Sequence, residues 1–217
     1  MNVKVNKMEY LVKNLTRYKI CLFATILLMT SLSFHSWTKA DDIYDLEIEG
    51  ISLGDSLLDY YSEEEIKQTY AGIYPNKKFF QTDIKHSSKF ETYQSMQFHT
   101  KRNDGRYIIQ ALAGEIVFDN IDDCLLRKKE IVSLLEDLFK NADLNDFGKR
   151  KHVLDNSGES VTYDVYFWFD DDSVIAVSCY DWTEKAVKEL NTIDNQMQVT
   201  LMNKEFGIWI KGPAFDE

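Results

Sequence analysis

The sequence lacks the residue spacings that identify most metal and nucleotide sites. Its 217 residues include four histidines and three cysteines, and none of them forms H-x-x-x-H, H-E-x-x-H or C-x-x-C. Zinc sites are usually recognised by such spacings. The G-x-G-x-x-G and Walker loops that cradle phosphates are also absent. We therefore predict no metal site, no nucleotide site and no cofactor.

The first forty residues carry net positive charge, whereas positive charge is scarce in the rest of the chain. Residues 1–40 hold six Lys or Arg and one Glu, with an uncharged apolar run, Ile20 to Phe34, and then the small residues Thr38 and Ala40. This order predicts a secretory signal peptide, residues 1–40, cleaved before Asp41. The alternative is an uncleaved inner-membrane anchor, although the 15-residue run is shorter than the roughly 20 residues that span a bilayer.

The remaining chain is strongly acidic. Of the 25 Lys or Arg and 36 Asp or Glu, residues 41–217 keep 19 and 35, which gives a formal net charge of −16. An acidic surface repels phosphate backbones and anionic lipid headgroups. We expect no nucleic-acid partner, and membrane contact only if the N-terminal segment is retained. The expected location is the periplasm or the exterior, and the expected partner is an envelope protein or a small ligand.

Two cysteines, Cys124 and Cys179, lie beyond the predicted cleavage point. Export places them in an oxidising compartment, where cysteines can pair. A disulfide and two separate buried thiols are both compatible with the sequence, because the distance between the residues does not follow from it.

Hairpin and helix patterns predict an α+β fold, with a mostly antiparallel sheet built from hairpins and helices packed on one face. The turn Asp104-Gly105 separates two β-favouring runs. Further hairpins are predicted over 161–182 and 195–212. The clearest helix, Asp122 to Lys140, has apolar residues at spacings of three, four and seven.

The opening segment, Ile48 to Gln68, predicts a strand end, a turn and a capped helix. Ser62 and Glu65 have the spacing of a capping box, in which each side chain binds the other residue's backbone N–H. We predict one domain over 41–217, with a weak internal hairpin–helix duplication in 91–140 and 161–191.

Aromatic residues are concentrated near one predicted strand. Tyr166 and Trp168 alternate along it and should share a face. Trp209 belongs to the last predicted hairpin. We interpret Tyr166, Trp168 and Trp209 as candidate binding residues on an exposed sheet face, since an antiparallel sheet often leaves one face open.

A hydrolase is the alternative function. Gly54-Asp55-Ser56 resembles the G-D-S start of some esterases, but the D-x-x-H partner of that family is missing near the C-terminus. Without a general base, Ser56 remains an ordinary alcohol. The acidic run Asp170 to Asp172 does not have the alternating ligand spacing of a calcium loop. We therefore assign no catalytic residue, and an enzyme is the less favoured interpretation.

The stretch IYDLEIEGISLGDSLLDYYSEEEIK, residues 43–67, resembles the recurring opening of small exported proteins of marine alphaproteobacteria. The resemblance implies export and no known activity. A fainter likeness, at Ile51 to Gly54, is to envelope domains of the outer-membrane assembly lipoprotein type. Our prediction is an exported cell-envelope protein that acts as a non-catalytic binding or interaction domain.

Overall fold

The computed structural model describes residues 42–71, 74–155, 157–190 and 195–215. These residues lie in one compact unit, Lys39–Glu217. The predicted signal peptide, residues 1–40, lies outside the described residues. No helix of the described residues is both long enough and apolar enough to cross a membrane.

In this described part of the chain, seven strands form one sheet in which every neighbouring pair is antiparallel. The α+β class with a mostly antiparallel sheet is thus confirmed. The spatial order is β1-β2-β3-β7-β6-β5-β4. The strands are β1 Phe79–Lys85, β2 Ser95–Lys101, β3 Ile109–Val117, β4 Asp143–Lys151, β5 Val161–Trp168, β6 Val174–Asp181 and β7 Gln196–Met202.

Four α-helices of the described residues accompany the sheet: α1 Glu63–Gln68, α2 Ile121–Leu138, α3 Glu184–Leu190 and α4 Lys204–Ile210. The capping box predicted for α1 is confirmed. The Ser62 amide donates to the Glu65 carboxylate at 2.8 Å, and the Glu65 amide donates to the Ser62 hydroxyl at 3.3 Å. Such a cap stabilises a helix by about 1 kcal/mol.

One face of the sheet, which we call the α2 face, carries the larger core. Ile175, Val177 and Cys179 alternate along β6 and point toward α2 and the segment 42–61. Cys124 of α2 and Cys179 form a disulfide, with 6.1 Å between their Cα atoms. Both cysteines are fully buried, and the bond ties the long helix to the middle of the sheet.

The opposite face, which we call the α4 face, is covered at one end by α4. Phe206 and Trp209 pack on Val174, Ala176 and other small or apolar residues of the sheet. Helices therefore lie on both faces, which corrects the expectation that they pack on one.

The prediction of a third hairpin over 195–212 is correct for its first strand and wrong for its second. Residues 206–210 form most of α4 instead of a strand. Both edges of β7 are already occupied, by β3 and by β6, so that no edge remains for a partner strand. Asn203 starts the helix by accepting the Phe206 amide at 2.9 Å, and tertiary packing overrides the β propensity of Phe, Ile and Trp.

The order hairpin then helix occurs twice, as β2-β3-α2 and as β5-β6-α3. A common origin of the two units stays a prediction.

The two edges of the sheet differ in whether other backbone groups bond to them. Backbone groups of residues 69–71 bond to β1, with the Ala71 amide donating to the Gln81 carbonyl at 2.9 Å. No strand of the described residues pairs with the outer edge of β4. That edge has a bulge at Asp146–Gly148, and Lys149, Arg150 and Lys151 follow. Bulges and positive charges of this kind discourage further strand addition.

Candidate functional site: a polar strip on the α4 face

Beyond α4, the same face of the sheet changes from apolar to polar. Strand pairing aligns five polar residues in one row, with one from each of five neighbouring strands. We call this row the polar strip: Ser95, Glu115, Gln198, Ser178 and Asp164. The adjacent row, nearer to α4, has small residues at its centre, where Thr200 lies between Ala113 and Ala176.

Glu115 is the centre of a hydrogen-bond network. Its carboxylate accepts the Ser95 hydroxyl, the Gln97 amide nitrogen at 2.9 Å and the Gln198 amide nitrogen at 2.6 Å. The Tyr180 hydroxyl then donates to Gln198 Oε1 at 3.3 Å. Glu115 is 7% exposed. A buried carboxylate is costly unless donors surround it, and three side chains supply them here.

Asp164 forms the second charged centre of the strip. It accepts the Thr162 hydroxyl at 2.6 Å and the Arg150 guanidinium at 2.6 Å and 3.2 Å. Burial by itself lowers the pKa of Arg150, but the hydrogen bond and charge of Asp164 outweigh it and raise that pKa. The guanidinium from edge strand β4 therefore neutralises the buried carboxylate of β5.

An aromatic cluster lies where β6 ends. The Trp182 ring is 4.0 Å from the His152 ring and stacks nearly parallel to Tyr180 at 5.9 Å between centroids. Burial lowers the pKa of His152 and raises that of Tyr180. The Trp182 indole N–H is buried and has no hydrogen-bond partner among the described residues.

The other end of the α4 face also contains a buried imidazole. His99 Nε2 lies 3.3 Å from Gln81 Oε1, whereas its Nδ1 has no partner among the described residues. Burial lowers the pKa of His99 to about 3, so that the ring is neutral. Gln81 also donates to Asp83 at 2.9 Å, and burial raises the pKa of Asp83.

Two of the three predicted binding residues lie on this face. Tyr166 and Trp168 are half-buried on β5, and the Lys211 ammonium lies 3.5 Å from the centre of the Trp168 ring. Trp209 does not lie on the sheet: it belongs to α4, is 2% exposed and donates to Asn76 at 3.2 Å. Its placement on an exposed sheet face is therefore wrong.

Ser56, the serine considered for catalysis, has a structural role. Ser56 donates to the Arg106 carbonyl at 2.6 Å and caps a 3-10 turn. The pattern G-x-S-x-G also occurs at residues 50–54, and sequence reasoning missed it. Its serine, Ser52, donates to the Leu46 carbonyl at 3.3 Å in a short turn. A nucleophile elbow lies between a strand and a helix, so this turn does not match one.

The acidic hairpin tip also has local partners. Asp171 accepts the Ser173 amide at 2.9 Å, and Asp172 pairs with Lys204 at 2.6 Å. Among the described residues, no group of three His, Cys, Asp or Glu side chains is arranged to hold a metal ion.

Neither protein-family models nor curated proteins match this chain. Its function is therefore inferred from the geometry of its own residues. The strip residues had no signal in the sequence, because they are single polar residues on five strands that long-range pairing brings together.

Proposed function

We propose that this protein is an exported, non-catalytic binding domain of the cell envelope, and that its polar strip holds a neutral, hydroxyl-rich ligand such as a saccharide. The Glu115 network carries this proposal. It orders two carboxamides, those of Gln97 and Gln198, on a half-exposed part of the sheet.

The hydrogen-bonding capacity of the strip favours a polar ligand. A carboxamide has two N–H donors and two acceptor lone pairs. The hydrogen bonds of Gln97 and Gln198 within the protein leave some of these donors and lone pairs for a ligand. Thr200 is half-exposed beside them and adds a hydroxyl. Ligand hydroxyls can both donate and accept, so they suit groups of this kind.

The charge balance favours a neutral ligand. Glu115 is surrounded by neutral donors and Asp164 by a guanidinium and a hydroxyl, so neither carboxylate needs a cation from the ligand. Tyr166 and Trp168 lie half-buried on the same face and add apolar surfaces. Aromatic rings with polar neighbours accommodate ligands that have apolar and polar sides.

Export is supported by the order of basic, apolar and small residues in 1–40. The periplasm or the exterior is the proposed location, and retention of that segment would place the same domain at the inner membrane. A non-catalytic role is supported by the engagement of Ser56 in a turn and of Glu115 and Asp164 in hydrogen bonds.

The direct test is a titration of the full chain with chitotriose, cellotriose and maltotriose, followed by tryptophan fluorescence and calorimetry. We expect one of them to bind saturably and to be recovered intact. Gln198→Leu should weaken binding about fivefold, since one hydrogen bond contributes roughly 1 kcal/mol.

Gln68→Leu is the matched control, because Gln68 is exposed on α1 and lies outside the strip. Binding that is equally strong in Gln198→Leu and wild type would contradict the proposed site. Failure of all three sugars to bind would contradict the proposed ligand class, and hydrolysis of a sugar would contradict the non-catalytic role.

A further inference from the structure

A pocket lies on the α2 face, between α1 and the strands β1 and β2. Its volume is about 200 Å³. Ile66, Thr82 and Thr100 form its buried floor, Tyr70, Phe80 and Tyr107 form its walls, and the exposed Lys67 completes the lining. The lining is therefore mostly apolar and aromatic, as small-molecule sites usually are.

Thr100 is the unusual residue of this pocket. It is 1% exposed, and its hydroxyl has no hydrogen-bond partner among the described residues. Buried hydroxyls in folded proteins almost always form a hydrogen bond, so the Thr100 hydroxyl is free to bond to a molecule in the pocket. A register shift of the β2–β3 pairing lies between His99 and Thr100, and bulges of this type redirect side chains.

Contacts within the protein hold one wall residue of the pocket, Tyr107, in place. Tyr107 has a φ of 51°, in the left-handed region that aromatic residues rarely adopt. Three hydrogen bonds hold it there. Its amide donates to Asp104 at 3.0 Å, its carbonyl accepts the Leu57 amide at 3.0 Å, and its hydroxyl donates to Glu63 at 3.0 Å. Strain kept by surrounding contacts is typical of binding sites.

Tyr70 and Phe80 contact each other edge to face, with 4.9 Å between ring centroids. Tyr70 is 45% exposed, so this pair lies at the outer side of the pocket. The pocket therefore has aromatic side chains at its outer side and the aliphatic Ile66 among its buried residues.

We infer that this pocket binds a small, single-ring aromatic molecule that carries one hydroxyl group, and that the hydroxyl bonds to Thr100. An apolar cavity of about 150 Å³ is enough for benzene, so the present pocket has room for a ring and one polar substituent. This inference does not depend on the polar strip, which lies on the opposite face of the sheet.

The probes are phenol and benzene, titrated into the full-length protein and followed by amide chemical shifts. We expect phenol to bind saturably and to shift the amides of Thr82, Thr100 and Tyr107 more than any others. Thr100→Val keeps the shape of the side chain but removes its hydroxyl. It should weaken phenol binding about five- to tenfold and leave benzene binding unchanged.

Thr82→Val is the matched control, because Thr82 lines the same pocket from β1 and is equally buried. It should change phenol binding by less than about twofold. The inference is overturned if phenol does not bind saturably, or if Thr100→Val weakens phenol and benzene equally. It is also overturned if Thr82→Val shows the selective loss instead. If Thr100→Val does not fold, the amide shifts that phenol causes in the wild-type protein test the inference. Shifts centred on residues outside the pocket overturn it.

Discussion

Gln198 donates to Glu115 across the paired strands β7 and β3, with 2.6 Å between Nε2 and Oε1. Ser95 and Gln97 of β2 bind the same carboxylate from the other side. One buried side chain therefore connects three adjacent strands through hydrogen bonds that do not involve the backbone. The two carboxylate oxygens of Glu115 accept all three of these donors.

We predict that Glu115→Gln lowers the free energy of unfolding by about 1–3 kcal/mol. The substitution keeps the shape but places an NH2 group among three donors, so that at least one buried donor loses its acceptor. Urea unfolding measures the change. Glu136→Gln, on the exposed side of α2, is the control and should stay within about 0.5 kcal/mol of wild type. Equal stabilities of the two variants would contradict the proposed role of the network.

The buried imidazole of His99 predicts a loss of stability in acid. Its pKa is about 3 in the folded protein, below the value of about 6.5 expected after unfolding. Between these values the unfolded state binds a proton that the folded state does not. The contribution of neutral His99 to the free energy of unfolding is therefore fully present above about pH 6.5. It falls as the pH drops toward 3, by up to about 1.4 kcal/mol per pH unit.

His99→Gln should flatten this dependence, because glutamine does not titrate and can still bond to Gln81. Urea unfolding at several values between pH 3 and pH 7 gives the slope. His86→Gln is the control, since His86 is exposed. A wild-type slope retained in His99→Gln would show that another group causes the acid sensitivity.

The disulfide between Cys124 and Cys179 should stabilise the fold substantially. It closes a loop with a sequence separation of 55 and joins α2 to β6. We expect Cys124→Ala/Cys179→Ala to lose about 2–5 kcal/mol of unfolding free energy. Reductant should lower the urea midpoint of the wild type and leave that of the double variant unchanged. If reduction changes neither the mass nor the midpoint of the wild type, the cysteines are not bonded.

The mature chain should begin at Asp41. Intact mass spectrometry of the protein isolated from its native envelope tests this directly. Signal peptidases require a small residue just before the cut, so Ala40→Leu should leave the precursor uncleaved. Lys39→Gln changes the neighbouring position and should be cleaved normally. A full-length mass for the wild type would support the inner-membrane form instead.

Local patterns were sufficient to predict several elements of the fold. The run of apolar residues at helical spacing predicted α2, and Asp104-Gly105 predicted the turn between β2 and β3. The Ser62 and Glu65 pair predicted the start of α1. Each of these signals depends on residues that are close in sequence, and no distant contact overrides them.

Elements determined by distant contacts were missed. Residues 143–151 form β4, although their charges, Asn145 and Gly148 read as a loop after α2. Pairing with β5 along its whole length makes this segment a strand. The polar strip was missed for a related reason. Glu115 and Gln198 are 83 positions apart, and only the insertion of β7 beside β3 brings them together.

The central position of β7 has a consequence for the order of folding. Strands β1–β3 and β4–β6 form two separate three-stranded meanders, and among the described strands β7 alone pairs with both. The sheet therefore stays in two halves until the segment after α3 has emerged from the ribosome. A chain ended before Gln196 should consequently show no cooperative thermal transition in calorimetry, and a sharp transition would rule out this order of assembly.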